Sequence, residues 1–239
     1  MVELRYVNLD NLKLMQGNAF ENLYKELKAK YGRPQDQWKL WCKRPKLEKE
    51  REEVILGAIL TQRTNWKNVE LAIGNLKKAK IDSLKNISKT RKRRFASLIK
   101  SSGFYKTKAE YLLNLAKYIV KNYGGVAGLK KQNAEKLRKE LLKLKGIGPE
   151  TADSILLYAL DKPIFVIDEY TRRLVRKKRL SKNLSYEFLR KLFEQNINKF
   201  DSAAGSAAKI KKDFKLYQDF HALIVIDGKN NHAIKSASK

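Results

Sequence analysis

The run Gly146-Ile147-Gly148-Pro149 carries the residue types best suited to holding an anion. Glycine adopts positive φ without a Cβ penalty and lets another backbone approach closely. Pro149 suits a first helical turn, where its missing N–H costs nothing. Backbone N–H groups left free at such a helix start make a seat for a phosphate. A tight turn that buries Ile147 explains the same glycines without any ligand. Leu144 two residues before the first glycine and Ala152 four after the second put amphipathic helices on both sides, and that fuller pattern favours the phosphate reading. Other chemistries are poorly supplied. Cys42 is the one cysteine, which excludes an internal disulfide and any four-cysteine zinc or iron–sulfur site. With two histidines and no ligand cluster, no metal site is expected. His221 lies in an apolar run and reads as a core histidine.

Helices must position this loop. Phe20, Leu23, Tyr24 and Leu27 recur at spacings of three and four, and Gly32-Arg33-Pro34 ends that pattern. Val54–Leu60 reads as a buried helix. Further apolar faces are Val69–Leu76, Ala109–Ile119, Leu137–Leu144 after Asn133 as N-cap, and Ala152–Ala159. Leu184–Phe193 and Tyr217–Val225 continue the pattern. Phe165–Ile167 and Leu223–Ile226 are short enough for strands but have no convincing partners. The chain reads as all-α.

Charge narrows the partner. Lys and Arg total 53 against 25 Asp and Glu, a formal net charge of +28. Residues 1–53 carry 12 basic and 9 acidic side chains, so nearly all of the excess lies beyond them. A folded basic chain suits a polyanion, nucleic acid first, although a lysine-rich surface can serve solubility alone. The runs Arg91-Lys92-Arg93-Arg94 and Arg176-Lys177-Lys178-Arg179 can neutralise phosphates without reading bases. Apolar stretches are too short to span a bilayer, and Met1–Arg5 lacks a signal-peptide pattern, so no membrane association and a cytoplasmic location are expected.

Leu144–Ala152 read together with Phe165–Leu174 resembles the HhH-GPD superfamily of DNA glycosylases, in its endonuclease III-like branch and near the 3-methyladenine glycosylases. Ile55–Val69, Ser102–Ala109 and Asp219–Val225 agree, so the resemblance spans roughly residues 20–230. It implies two helical lobes with a helix-hairpin-helix motif and an active-site cleft between them. One lobe is expected at 45–163, the other at 1–44 with 164–239. The implied partner is double-stranded DNA containing a damaged or mismatched base, and the implied state is a monomer.

The resemblance also implies roles. Asp168 matches the catalytic aspartate, whose carboxylate stabilises the cation that develops on deoxyribose or orients the attacking water. Helix N-capping is its plainer explanation, and the two are compatible. Bifunctional relatives carry a lysine two residues after the second hairpin glycine, where this chain has Glu150. A carboxylate cannot form a Schiff base, so hydrolysis by water is expected, with Glu150 holding that water, lining the base pocket or simply starting a helix. Lys145, Gly146, Ile147, Gly148 and Thr151 are the expected DNA-binding residues of the hairpin, and Gln62 is expected to fill the gap left by a flipped base. Trp38, Trp41, Trp66 and Tyr170 are candidates to stack on that base, and a cationic alkylated purine would favour such aromatic faces. Many relatives hold a [4Fe–4S] cluster through four cysteines. None is expected here, nor any other cofactor. A DNA glycosylase opening base excision repair, monofunctional and acting on an alkylated purine such as 3-methyladenine, leads. A bifunctional glycosylase/AP lyase using Lys145, acting on oxidised or deaminated bases, and a non-catalytic DNA-binding module are the alternatives.

Overall fold

The structure is a computed structural model that describes residues 9–200 and 213–237, with side chains from 19 to 200 and 213 to 231. Met1–Arg5, where no signal-peptide pattern is expected, lies outside the described residues. Among those residues the chain is helical and contains no strand. Phe165–Ile167 is buried chain in neither helix nor strand, and Leu223–Ile226 lies inside the last helix. No helix of the described residues is long and apolar enough to cross a membrane.

Two compact units divide the chain. Gln35–Ile164 forms one, and the segments before and after it form the other. The first contains α2 (Gln37–Trp41), α3 (Glu48–Leu60), α4 (Trp66–Lys78), α5 (Leu84–Lys89), α6 (Lys92–Leu98), α7 (Tyr105–Tyr123), α8 (Val126–Lys130), α9 (Ala134–Leu141) and α10 (Pro149–Ser154). The second contains α1 (Leu9–Tyr31), α11 (Glu169–Lys177), α12 (Tyr186–Ile197) and α13 (Phe214–Ala237).

Residues 35–44 therefore cluster with the hairpin-bearing unit rather than with the termini. Their tryptophans explain it. Trp38 and Trp41 pack on Tyr158 at ring distances of 5.5 and 5.2 Å, and Trp41 meets Trp66 at 5.9 Å. Burying such rings outweighs any local preference of this short segment. Gly57 makes room on α3, since a Cβ there would lie 3.0 Å from Trp41.

Val54–Leu60 is buried on every side, as a continuous apolar run requires. The helix after the hairpin widens into a π-helical turn at Ile155–Ala159, where the Leu160 N–H reaches the Ile155 carbonyl at 3.2 Å. Arg51 on α3 donates to the Ala159 carbonyl and pairs with Asp161 at 2.7 Å, satisfying the end of that turn. The other unit packs α1 on α12 and α13, and α11 on α13. Its core is aromatic: Phe165 stacks on Phe193 at 4.6 Å, and Phe20 meets the same ring edge-on at 4.9 Å.

Candidate active site and nucleic-acid interface

The hairpin is built by a charge pair that its loop does not reveal. Arg138 on α9 donates through Nε and Nη2 to the two oxygens of Asp153 on α10, at 2.6 and 3.0 Å. Both side chains are buried. A bidentate pair fixes both distance and angle between the two helices. Between them the two glycines do different things. Gly146 has φ +85°, and a Cβ on it would sit 2.2 Å from the Tyr111 ring. Gly148 has φ −84°, and a Cβ there would meet nothing within 4 Å. Positive φ is therefore needed at the first glycine only; the second is bare toward solvent. Ile147 is buried beneath them, and its N–H is spent on the Leu144 carbonyl at 3.1 Å. Among the described residues, nothing accepts from the Gly146 or Gly148 N–H.

Gln62 follows α3 and is tied to the hairpin. Its Nε2 donates to the Gly146 carbonyl and to Thr151 Oγ1, both at 3.0 Å. Lys145 is exposed and donates to Glu110 at 3.0 Å. That hydrogen bond and the adjacent negative charge raise its ammonium above the ordinary lysine range. Glu150 is exposed at the start of α10.

Two residues that the sequence reading passed over belong to this region. Lys108 is 2% exposed, and its ammonium donates to the carbonyls of Leu60 at 2.8 Å and Ser102 at 2.6 Å. It thereby joins the end of α3, which leads into Gln62, to the turn before Phe104. Burial pushes its pKa down to about 8. Phe104 is 64% exposed and holds a left-handed backbone at φ +46°. A bulky residue rarely adopts that conformation. The only sequence hint was an aromatic directly after a glycine.

Asp168 lies in the other unit, 13% exposed, at the N-cap of α11. Buried chain in neither helix nor strand delivers it: the Phe165 N–H donates to Glu194 Oε1 at 3.0 Å, anchoring the segment. Oδ1 accepts from the Thr171 N–H at 2.7 Å and the Thr171 hydroxyl at 2.9 Å. Oδ2 faces His221 Nε2 at 3.6 Å. Burial by itself would raise this carboxyl. The imidazole beside it and the two Thr171 donors more than reverse that, leaving its pKa below the ordinary aspartate value. His221, read as a core residue, is indeed buried, but it is buried against the carboxylate.

The aromatic candidates separate. Trp38, Trp41 and Trp66 form one cluster, with Trp38 and Trp41 each 4% exposed. The Trp41 indole N–H is buried with no hydrogen-bond partner among the described residues. Tyr170 belongs to the other unit, where Gly228 admits its ring.

Residues 56–199 match the family model described as the HhH-GPD superfamily base excision DNA repair protein. The chain belongs to that superfamily. It is 39% identical over 216 residues to a Methanocaldococcus jannaschii protein whose name offers it as a DNA repair glycosylase, covering 88% of this chain and 89% of that one. An endonuclease III of Thermotoga maritima is 31% identical over 121 residues, about half of each chain. Among solved structures, the H. pylori 3-methyladenine DNA glycosylase bound to 1,N6-ethenoadenine superposes with a TM-score of 0.73 at 30% identity, covering 90% of this chain and 98% of that one. Endonuclease III in a complex with DNA shares the fold at a TM-score of 0.62 and 16% identity. The HhH-GPD chain described here is thus a DNA glycosylase of the endonuclease III-like branch. A cluster held by four thiolates does not fit it, because Cys42 is the only cysteine in the sequence.

Proposed function

We propose that the protein is a monofunctional DNA glycosylase that hydrolyses the N-glycosidic bond of a flipped alkylated purine, of the 3-methyladenine type. The observation that carries this reading is Asp168, a largely buried carboxylate kept ionised, with one oxygen spent on capping and the other facing His221. As the bond from C1′ to the base breaks, its electron pair leaves with the base and positive charge grows on the sugar. A preformed carboxylate stabilises that charge without reorganising. Water then adds to C1′, gives its proton to Asp168, and leaves an abasic sugar. A purine alkylated on its ring is already cationic, so it departs neutral and needs no protonation.

The remaining residues take supporting roles. Gly146 and Gly148 offer backbone N–H groups to a phosphate, with Lys145, Ile147 and Thr151 shaping the loop. Phe104 is the apolar wedge that enters the base stack, and Gln62 lies beside the hairpin to fill or flank the gap. The tryptophan cluster supplies electron-rich faces, and the buried Trp41 N–H is a donor for an acceptor on the base. Tyr170 stands near Asp168 in sequence and unit. Two features favour hydrolysis over lyase chemistry: Glu150 has no amine, and Lys145 is held protonated by Glu110. A Schiff base needs a neutral amine.

A panel of labelled lesion duplexes tests the proposal. Breaks that appear only after alkali, without borohydride trapping on an abasic duplex, fit the reading, and the productive lesion names the substrate. Strand breaks without alkali would remove the monofunctional assignment. Lesion binding with no base release under any condition would remove the enzyme.

A further inference from the structure

A concentration of positive charge lies on this unit besides the hairpin. Between α5 and α6 runs an open groove of about 790 Å³, lined by Lys80, Lys89, Arg91, Arg93 and Arg94. All five are exposed, and no acidic residue lines the groove. None of the five makes an ion pair with a described residue. Elsewhere in this unit some surface cations are neutralised: Lys49 meets Asp82, Lys77 meets Glu53, and Lys130 meets Asp161. Five like charges crowded into a concavity repel one another, and that cost is offset when an anion fills it. Asn86 and Thr90 line it beside the buried Ile81. Asn86 holds the Lys80 carbonyl at 3.0 Å, and Thr90 Oγ1 holds the Asn86 carbonyl at 2.7 Å.

A chain of ion pairs connects the helix that borders the groove to the hairpin. Lys92, also on α6, donates to Glu110 at 2.8 Å, and Lys145 of the hairpin donates to the other oxygen of the same carboxylate at 3.0 Å. One side chain on α7 therefore joins the start of α6 to the phosphate-binding loop. The two cations beside it hold that carboxyl down to about 2.

We propose that this groove is a second contact surface for the DNA backbone, taking phosphates of the same duplex beyond those held at the hairpin. It rests on the reading that the hairpin binds DNA. The hairpin grips through neutral N–H groups and the groove through full charges, so the groove adds affinity and salt dependence without sequence preference.

The experiment compares wild type with the triple variant Arg91→Gln/Arg93→Gln/Arg94→Gln on tetrahydrofuran-site duplexes of about 10 bp, one helical turn, and about 25 bp. The altered side chains are exposed, and an unchanged Tm checks the fold. Wild type is expected to bind the longer duplex more tightly and with a steeper salt slope. The triple variant is expected to lose that advantage, its log–log salt slope on the long duplex falling by about 2.7 for three lost phosphate contacts. On the short duplex the two proteins should agree within about twofold, a difference well under 1 kcal/mol. Equal loss on both lengths, or an unchanged slope on the long one, overturns the proposal; the second result leaves an acidic protein as the occupant to test. If wild type binds neither duplex, the failure belongs to the proposed function rather than to the groove.

Discussion

The two units differ in what one buried charge is left to do. In Gln35–Ile164, three buried cations are consumed by structure: Arg138 by Asp153, Lys108 by two carbonyls, Arg51 by Asp161 and Ala159. What the hairpin presents outward is bare backbone at Gly148, with Lys145 and Glu150 exposed on either side. In the other unit, a carboxylate is kept ionised with one oxygen left out of the capping bonds. A surface that must slide along many sequences gains from donors that read no base. A group that must meet a transient cation gains from a charge fixed in advance. On the proposed roles, grip and chemistry reside in separate compact units, and each can be damaged without the other.

The sharpest break is expected at Arg138. Arg138→Met strands the Asp153 carboxylate in the core, which costs about 3–5 kcal/mol. Thermal unfolding measures it, and a Tm within error of wild type would remove the pair from its clamping role. Asp168→Asn should lower single-turnover base release by about 10² to 10³-fold while leaving duplex affinity nearly intact. An Asn variant that still excises would take the chemistry away from this residue. The two glycines sharpen the comparison further. Gly146→Ala meets both positive φ and the Tyr111 ring, so it should lower stability by about 1–2 kcal/mol or more. Gly148→Val should fold normally yet weaken binding about tenfold on every sequence, the equivalent of one charge-assisted hydrogen bond. Reversed effects at the two positions would contradict the loop geometry.

The smallest effect is a shift in pH dependence. The folded pKa of Asp168 lies below its ordinary value of about 3.9. Its ionised form therefore adds stability that is present above the unfolded pKa and is lost as pH falls through the folded one. His221→Gln removes a contribution that lowers this pKa. The acid limb of base release should then move to higher pH, and acid unfolding should begin earlier. An acid limb that stays put or moves lower would sever the two residues.

The hairpin was legible because glycine and proline announce backbone requirements locally. Asp168 was legible because a capping carboxylate ahead of Glu169–Lys177 follows from sequence, and the resemblance supplied its chemistry. Arg138, Asp153 and Lys108 were not, because a charged residue in an amphipathic pattern is assigned to the solvent side unless its buried partner is known. Those partners lie 15 residues away for Arg138 and 48 for the Leu60 carbonyl of Lys108. The division near residue 45 was misplaced for a similar reason: rings seeking Tyr158 decide where Trp38 and Trp41 belong. The sequence did not show which glycine uses its conformational freedom: Gly146 takes positive φ, while Gly148 is extended.

Lys108 carries one more consequence. Its amine gives up a proton near pH 8, yet both of its contacts are carbonyls sealed from water. Amine-reactive reagents consume exposed lysines first and reach this one only when the end of α3 parts from the turn before Phe104. The rate at which Lys108 becomes acylated is thus a clock for the local opening of the segments that carry Gln62 and Phe104.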